Sequence, residues 1–185
     1  MEKNYSRKFP AARSKEKEFI KLTSKQWSIY YWLVIKSYWN GDKKEDHYYL
    51  YRSSFSYSDI KKDLKITDNR TIKAALNKLE LYNKICITKD IIYIPNPDLY
   101  TYLSINLTKY LLNLCVAANL SSELIVIYSI LKRLKELDRK NNKNTTFTLK
   151  LLVKLLGHNE NDKKSYALMK IIISLLIGEN LIKIS

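Results

Sequence analysis

Glycine, proline, cysteine and histidine are scarce in this chain of 185 residues, which holds three, three, two and two of them. The few glycines form no Gly-rich phosphate loop, and the sequence contains no Walker motif. Cys86 and Cys115 stand alone in apolar surroundings, without a CxxC pair or a histidine at metal-ligand spacing. These absences argue against a disulfide framework and a zinc site, and they favour a reducing cytoplasm.

Long hydrophobic runs are missing as well. The longest near-continuous apolar stretch, residues 171–177, is far shorter than the roughly 20 residues that a membrane-spanning helix needs. The first 21 residues are polar and basic, so we expect neither a signal peptide nor a membrane span, and no membrane partner.

Catalytic arrangements are also missing from the sequence. His47 and His158 are solitary, and no nucleophile is paired with a base. One of the 15 tyrosines could serve as a DNA-nicking nucleophile, but that chemistry needs a metal-binding histidine cluster, which the sequence lacks. We therefore expect no enzymatic activity, no metal and no cofactor.

Positive charge is abundant, with a formal net charge of +15. Such an excess favours a polyanionic partner. Nucleic acid is the first candidate, and an anionic membrane surface is the second. The excess is spread evenly, however, because residues 1–21, 22–97 and 98–185 carry +4, +5 and +6. An even excess with much Lys, Asn, Ile and Tyr is also what a strongly A/T-biased genome produces, so charge alone leaves both explanations open.

The first half of the chain begins with a helical pattern. Thr23 or Ser24 provides an N-cap, and apolar and aromatic residues follow at helical spacing. This predicted stripe consists of Trp27, Tyr30, Tyr31, Val34 and Tyr38. Because the aromatic residues share one stripe, we interpret them as core residues rather than as a base-stacking surface for single strands.

Further elements follow in a regular order. Residues 40–46 predict a polar turn and residues 47–54 a short strand. A second helix is predicted from Ser56 or Ser58 to Leu64, and a third begins at Thr67 or Asp68. The apolar stripe of the third helix is Ile72, Ala75, Leu76 and Leu79. Two apolar runs, 85–87 and 91–94, then predict a hairpin with its turn at 88–90.

The second half repeats this order. Helices are predicted over 120–138, 147–157 and 162–177, the last with Gly178 as its C-cap. A shift of 98 residues pairs Leu22, Ser24, Ile29, Tyr30 and Leu33 with Leu120, Ser122, Ile127, Tyr128 and Leu131. A shift of 97 pairs Leu79, Asn83, Ile85 and Ile87 with Leu176, Asn180, Ile182 and Ile184. These pairs indicate an internal duplication.

Three segments follow from these patterns. Residues 1–18 hold six basic side chains and little hydrophobic periodicity, which predicts a flexible basic arm, although a merely solvated tail would look the same. Pro95 and Pro97 end the hairpin and mark a linker. The chain therefore divides into the arm, unit one (19–97) and unit two (98–185), and the predicted class is mainly α with small β-hairpins (α+β).

In each half the order of helix, strand or loop, helix, turn, helix and hairpin resembles the winged-helix family of DNA-binding folds. Two such units in tandem resemble the winged-helix replication initiators of plasmids and phages. The segments LSSELIVIYSIL and LLIGENLIKI carry that second likeness. Its residues are Leu120, Ser121, Glu123, Leu124, Tyr128, Leu131, Leu176, Asn180, Ile182 and Ile184.

The resemblance implies that the third helix of unit one enters the major groove of DNA. The residues opposite its apolar stripe would then contact bases and phosphates: Asn69, Arg70, Lys73, Asn77 and Lys78. Lys89 in the hairpin turn and Lys61 and Lys62 on the second helix are candidates for flanking phosphates. A merely solvated helix face would have a similar composition.

Unit two differs, because its third helix carries Tyr166 and Ile171 beside the candidate DNA contacts Lys163, Lys164 and Lys170. Exposed large apolar side chains mark contacts with other surfaces. We therefore expect Tyr166 and Ile171 to form an interface with unit one, with a second copy in a homodimer, or with replication proteins.

Together these features predict a sequence-specific protein of the cytoplasm that binds double-stranded DNA. Replication initiation or replisome organisation on a plasmid or phage is the expected role, with transcription regulation as a close alternative. A winged-helix module for protein interaction, without DNA binding, is the alternative from a different class.

Overall fold

The computed structural model describes residues 6–10, 22–39, 47–97, 100–120, 122–142, 148–156, 158–159 and 161–182. The helices of these ranges are α1 (Ser24–Lys36), α2 (Tyr57–Leu64), α3 (Asn69–Leu81), α4 (Ile105–Ala117), α5 (Glu123–Asn141), α6 (Leu149–Leu155) and α7 (Lys163–Gly178). The strands are β1 (Ser6–Pro10), β2 (Tyr38–Trp39), β3 (His47–Tyr51), β4 (Cys86–Ile87), β5 (Ile91–Pro95) and β6 (Tyr100–Ser104). The predicted mixed α+β class with small antiparallel sheets is confirmed.

Helix α1 lies at the centre of the fold. Thr23 caps it, since its Oγ1 accepts the N–H of Gln26 while the Gln26 side chain accepts the N–H of Thr23. Seven consecutive residues, 29–35, are buried. The prediction that α1 is buried along a single stripe was therefore wrong. Its residues 29–35 are buried on every side of the helix, as expected for a helix that is apolar all round.

The end of α1 corrects the placement of Tyr38. Helix α1 ends at Lys36, and the buried hydroxyl of Ser37 donates to the carbonyl of Val34 at 2.8 Å. Tyr38 then begins β2 and is 53% exposed, so its assignment to the helical core stripe was wrong. Pairing with Tyr49 on β3 replaces continuation of the helix. Trp27, Tyr30 and Tyr31 are core residues, as predicted.

Four antiparallel strands form the main sheet, in the order β2-β3-β5-β4. Tyr48 and Leu50 on β3 pair with Ile94 and Ile92 on β5, and these four side chains are buried on one face. The alternation of side chains along a strand places Tyr49 and Tyr93 on the opposite face. The predicted hairpin is thus confirmed, as is the predicted strand over residues 47–51, whereas its last three residues, 52–54, form a short 3-10 helix.

Helices α2 and α3 form a helix-turn-helix. Ser56 caps α2, and the backbone of Lys65 adopts a left-handed conformation (φ 50°) that ends it. The N–H of Ile66 returns to the carbonyl of Lys61 at 3.1 Å, and the Ile66 side chain is buried. Asp68 caps α3 by accepting the N–H of Arg70 at 2.8 Å. The two helices are therefore joined by a short turn of fixed geometry.

The predicted arm contains a strand. Residues 6–10 form β1, which pairs with β6, and the ring of Phe9 is fully buried. The guanidinium of Arg7 donates to the carbonyl of Ser37 at 3.0 Å and lies 5.2 Å from the centre of the Tyr48 ring. The prediction of a flexible arm was therefore wrong for residues 6–10. This segment is polar in sequence, but partners from distant parts of the chain bury it. The remainder of the arm lies outside the described residues.

Helix α4 was not predicted. Ser104 caps it, and its buried residues Thr108, Leu111, Leu112 and Cys115 follow helical spacing. It packs against α1 and α5. The division of the chain into units one and two stays a prediction.

Helices α5, α6 and α7 confirm the three predicted helices of the second half. Gly178 is the last residue of α7, and the left-handed residue after the helix is Asn180 (φ 56°), so the C-cap role given to Gly178 was wrong. Leu181 and Ile182 form no strand, and residues 183–185 lie outside the described part of the chain, as do 40–46 and 143–147. Among the described helices, none is both long and apolar enough to cross a bilayer.

Candidate nucleic-acid interface

The candidate reading surface is the solvent face of α3. The predicted stripe of Ile72, Ala75, Leu76 and Leu79 is buried, and α3 packs on α1. On the other side Asn69, Arg70, Lys73 and Asn77 are exposed. Lys78 differs, because it is half-buried and its ammonium lies 4.9 Å from the centre of the Tyr82 ring. Four of the five predicted side chains therefore share one accessible surface.

The β4–β5 hairpin lies beside this face. At its turn the N–H and the hydroxyl of Thr88 both donate to the carbonyl of Ile91 at 2.9 Å, which leaves Lys89 exposed at the tip. The carboxylate of Glu80 on α3 accepts the N–H of Ile87 at 2.9 Å. This bond fixes the hairpin relative to α3.

Arg52 supports the hairpin from the other side. Its backbone N–H donates to the carbonyl of Asp90 at 2.8 Å, and its guanidinium reaches the carbonyl of Thr88 at 3.4 Å. Sequence reasoning missed Arg52, because its partners lie 36 and 38 positions further along the chain and no local pattern announces them. The exposed Arg52 side chain thus adds a cation to this surface.

A groove of about 310 Å³ separates α3 from the hairpin. Arg52, Lys73 and Asn77 line it together with the apolar Leu76 and Ile92 and the acidic Glu80. The two cations attract an anionic group such as a phosphate, and the Glu80 carboxylate opposes that attraction. The groove therefore brings Lys73 and Asn77, predicted from the sequence, together with Arg52, which was not.

On α2, Lys62 is exposed and Lys61 half-buried. The neighbouring carboxylate of Asp63 accepts the indole N–H of Trp32 at 2.8 Å and lies 3.6 Å from the ammonium of Lys36. Hydrogen bonds from the backbone and hydroxyl of Ser56 lower the pKa of Asp59 at the start of this helix. The two acidic groups of α2 are thus held by their own partners.

Helix α7 carries the site residues predicted for the second half of the chain. Lys163, Lys164 and Lys170 are exposed, Ile171 is 54% exposed and Tyr166 is half-buried. A depression of about 380 Å³ is lined by Asn161, Lys163, Tyr166, Ala167 and Lys170, so the structure brings Tyr166 and two lysines together but not Ile171.

The first turn of α7 is held by Asp162. Its carboxylate accepts the hydroxyl of Ser165 at 2.8 Å and the N–H of Lys164 at 3.0 Å, and these bonds lower the pKa of Asp162. Asp68 caps α3 by the same kind of bond, to the N–H of Arg70. Both helices therefore begin in the same way.

The ends of α3 and α7 match as well. Asn83 (φ 54°) and Asn180 (φ 56°) are both left-handed. The N–H of Lys84 reaches the carbonyl of Leu79 at 2.8 Å, and the N–H of Leu181 reaches the carbonyl of Leu176 at 2.9 Å. Each pair is separated by the 97-residue shift of the sequence repeat. The repeated residues thus make repeated hydrogen bonds.

Comparison with known proteins finds no matching family model, no matching curated protein and no matching solved structure. Among the described residues, His, Cys, Asp and Glu side chains form no cluster of three or more that could hold a metal ion.

Proposed function

We propose that this protein binds double-stranded DNA through two winged-helix units, with α3 of unit one as the sequence-reading helix. One observation carries the proposal: α3 buries its apolar stripe against α1, presents donor side chains on its opposite face, and lies beside a hairpin that Glu80 and Arg52 hold in place. The order α1, β3, α2, α3, β4 and β5 supports the winged-helix assignment, as does the helix-turn-helix geometry around Lys65.

Each exposed side chain of α3 has a chemical role in this proposal. Arg70 presents a guanidinium suited to guanine, and Asn69 and Asn77 present amides suited to adenine. Lys73 attracts phosphates without regard to sequence. Lys78 packs on Tyr82 and contributes charge rather than a base contact.

Cations around α3 extend the surface. Lys89 at the hairpin tip and Lys61 and Lys62 on α2 contact flanking phosphates, and each contact releases a counterion. Arg52 joins them from the groove between α3 and the hairpin.

Unit two contributes association rather than sequence reading. Ile171 is more than half exposed, and Tyr166 opens into the depression on α7. Burying a large apolar side chain of this kind yields about 1.5–3 kcal/mol, which favours a contact with a second copy or with a replication protein. Lys163, Lys164 and Lys170 add attraction to phosphates.

Replication initiation or replisome organisation on a plasmid or phage is the role we propose, in the cytoplasm, on the strength of the tandem repeat. The repeated ends of α3 and α7 support two related units. Transcription regulation would use the same surface. The DNA sequence that the protein binds distinguishes replication from transcription regulation.

Duplex titration at two salt concentrations tests the proposal. Wild-type protein should bind random duplex more weakly at higher salt, and selection from a random pool should enrich one sequence. Arg70→Ala with Lys73→Ala should lower affinity and reduce the slope of log affinity against log salt by up to about 2. The matched control is Lys135→Ala with Arg139→Ala, which removes two exposed cations from α5.

The controls decide among the outcomes. Equal losses in both double variants would mean that only overall charge matters, and the reading surface would lie elsewhere. No binding at either salt concentration would exclude DNA binding and favour the protein-interaction module.

A further inference from the structure

The outward face of the four-stranded sheet carries a row of tyrosines. Tyr38 on β2 is the register partner of Tyr49 on β3, and Tyr49 is the partner of Tyr93 on β5. Residues directly opposite each other on paired strands point to the same face. Tyr51 and His47 flank Tyr49 along β3 on that face. We call these five residues the aromatic sheet face.

The rings are accessible and mutually supported. Tyr38 and Tyr51 are 53% and 47% exposed, and Tyr49 and Tyr93 are half-buried. The ring centres of Tyr38 and Tyr49 lie 5.9 Å apart, and those of Tyr49 and Tyr51 lie 5.5 Å apart. Each ring therefore restricts its neighbour while leaving aromatic surface open.

Burial does not explain this composition. The opposite face of β3 and β5 carries Tyr48, Leu50, Ile92 and Ile94, which pack into the core. Aromatic side chains favour strands in general, but an exposed sheet face is more often polar. A concentration of open tyrosine rings instead matches a surface on which flat ligands stack.

We propose that the aromatic sheet face binds single-stranded nucleic acid by stacking of its bases. Every base has a π-face, so such a surface accepts a strand without reading its sequence. The net charge of +15 attracts a polyanion, and none of the described residues that point outward on these strands is acidic. A single strand, whose bases are open, fits this face better than a duplex.

The dimensions fit a short stretch of strand. Neighbouring strands lie about 4.8 Å apart, so Tyr38, Tyr49 and Tyr93 span roughly 10 Å. That length accommodates roughly two or three bases, one for each ring. The surface is distinct from α3, because it lies on the side of the sheet that faces away from the buried core.

Anisotropy of a labelled oligonucleotide measures single-strand binding. Short oligothymidylate and oligouridylate are the two probes, and they reveal whether the face distinguishes DNA from RNA. Trp39, next to Tyr38, is 51% exposed, but its register partner is Tyr48, so it lies on the opposite face of the sheet. Trp39→Phe should therefore leave single-strand binding unchanged.

Substitution at Tyr38 tests the stacking role. Tyr38→Ala should weaken single-strand binding by roughly tenfold, and Tyr38→Phe, which keeps the ring, should restore it. The matched control is Tyr102→Ala, which removes a 51%-exposed strand tyrosine from the other sheet and should leave binding unchanged. Duplex binding should persist in Tyr38→Ala, and single-strand binding should persist in Arg70→Ala with Lys73→Ala, so failure of one proposal leaves the other standing.

Three results would overturn the inference. The first is that neither polymer binds, and the second is that Tyr38→Ala and Tyr102→Ala behave alike. The third is a wild-type dimer in sedimentation that Tyr38→Ala converts to monomer, because the face would then be a contact between copies of the chain.

Discussion

Ser24 and Ser122, which occupy equivalent positions in the 98-residue repeat, are hydrogen-bonded to each other. The hydroxyl of Ser122 donates to the carbonyl of Ser24 at 3.0 Å, and the N–H of Ser122 donates to the hydroxyl of Ser24 at 3.1 Å. The first helices of the two repeats, α1 and α5, therefore start beside each other. The paired residues of the sequence repeat thus meet in a contact between the starts of α1 and α5.

Removal of either serine hydroxyl should destabilise the protein. Ser122→Ala loses one hydrogen bond at a buried site, and Ser24→Ala leaves the N–H of Ser122 without its partner. We expect a loss of about 1 kcal/mol for each, measured as the free energy of unfolding in urea. The double variant should lose about the sum of the two, because the substitutions remove different hydrogen bonds.

Ser174→Ala on the exposed surface of α7 is the control and should change stability by less than about 0.5 kcal/mol. Losses at Ser24 and Ser122 no larger than that of Ser174→Ala would show that the contact between α1 and α5 contributes nothing.

The strand within the predicted arm provides a second prediction. Phe9 is fully buried, and its ring centre lies 6.0 Å from that of Tyr31. Phe9→Ala should lower the free energy of unfolding by about 3–5 kcal/mol, because it removes a large side chain from a packed site. Ser6→Ala, at an exposed position of the same strand, should have little effect. If the two variants were equally stable, β1 would not be packed against the core, and the prediction of a flexible arm would stand.

Local patterns predicted most of the described elements. The stripe of Ile72, Ala75, Leu76 and Leu79 and the caps at Ser56 and Asp68 specify α2 and α3 from neighbouring residues alone. Helix α4 carries equally local signals, namely the Ser104 cap and a stripe through Leu111 and Leu112, and could have been predicted.

What the sequence did not predict depends on distant partners. Arg7 makes β1 appear polar, and its burial depends on distant groups such as the carbonyl of Ser37 and the ring of Tyr48. The sequence around Tyr38 fits a helical stripe as well as a strand, and only its pairing with Tyr49 identifies it as part of β2. Arg52 joins the candidate site through the hairpin turn, which lies far along the chain. Sequence periodicity contains no information about such partners.

The two cysteines should react very differently. Burial raises the pKa of Cys115 to about 12, so at pH 8 only about one thiol in 10,000 is the reactive thiolate. Cys86 on β4 is exposed. Titration of the native protein with a thiol reagent at pH 8 should therefore modify one cysteine, and unfolding in denaturant should release the second. Cys86→Ser should abolish the native reaction, and rapid modification of Cys115 in that variant would contradict its burial.

The bond between Glu80 and the hairpin tests whether DNA binding needs a hairpin in a fixed position. The Glu80 carboxylate accepts the N–H of Ile87, next to the turn that presents Lys89. Glu80→Ala removes a negative charge near the proposed phosphate contacts, which by itself should strengthen duplex binding. It also removes the bond that ties the hairpin to α3, which should weaken binding because Lys89 at the hairpin tip is held less firmly relative to α3.

Glu80→Gln separates these two effects, because glutamine lacks the charge but keeps an oxygen that accepts the N–H of Ile87. Duplex binding at one salt concentration should be tighter in Glu80→Gln than in the wild type and a few-fold weaker in Glu80→Ala than in Glu80→Gln. Cooperative thermal unfolding of both variants should persist, since Glu80 is exposed. If Glu80→Ala bound as tightly as Glu80→Gln, charge alone would determine affinity, and the fixed hairpin would have no part in DNA binding.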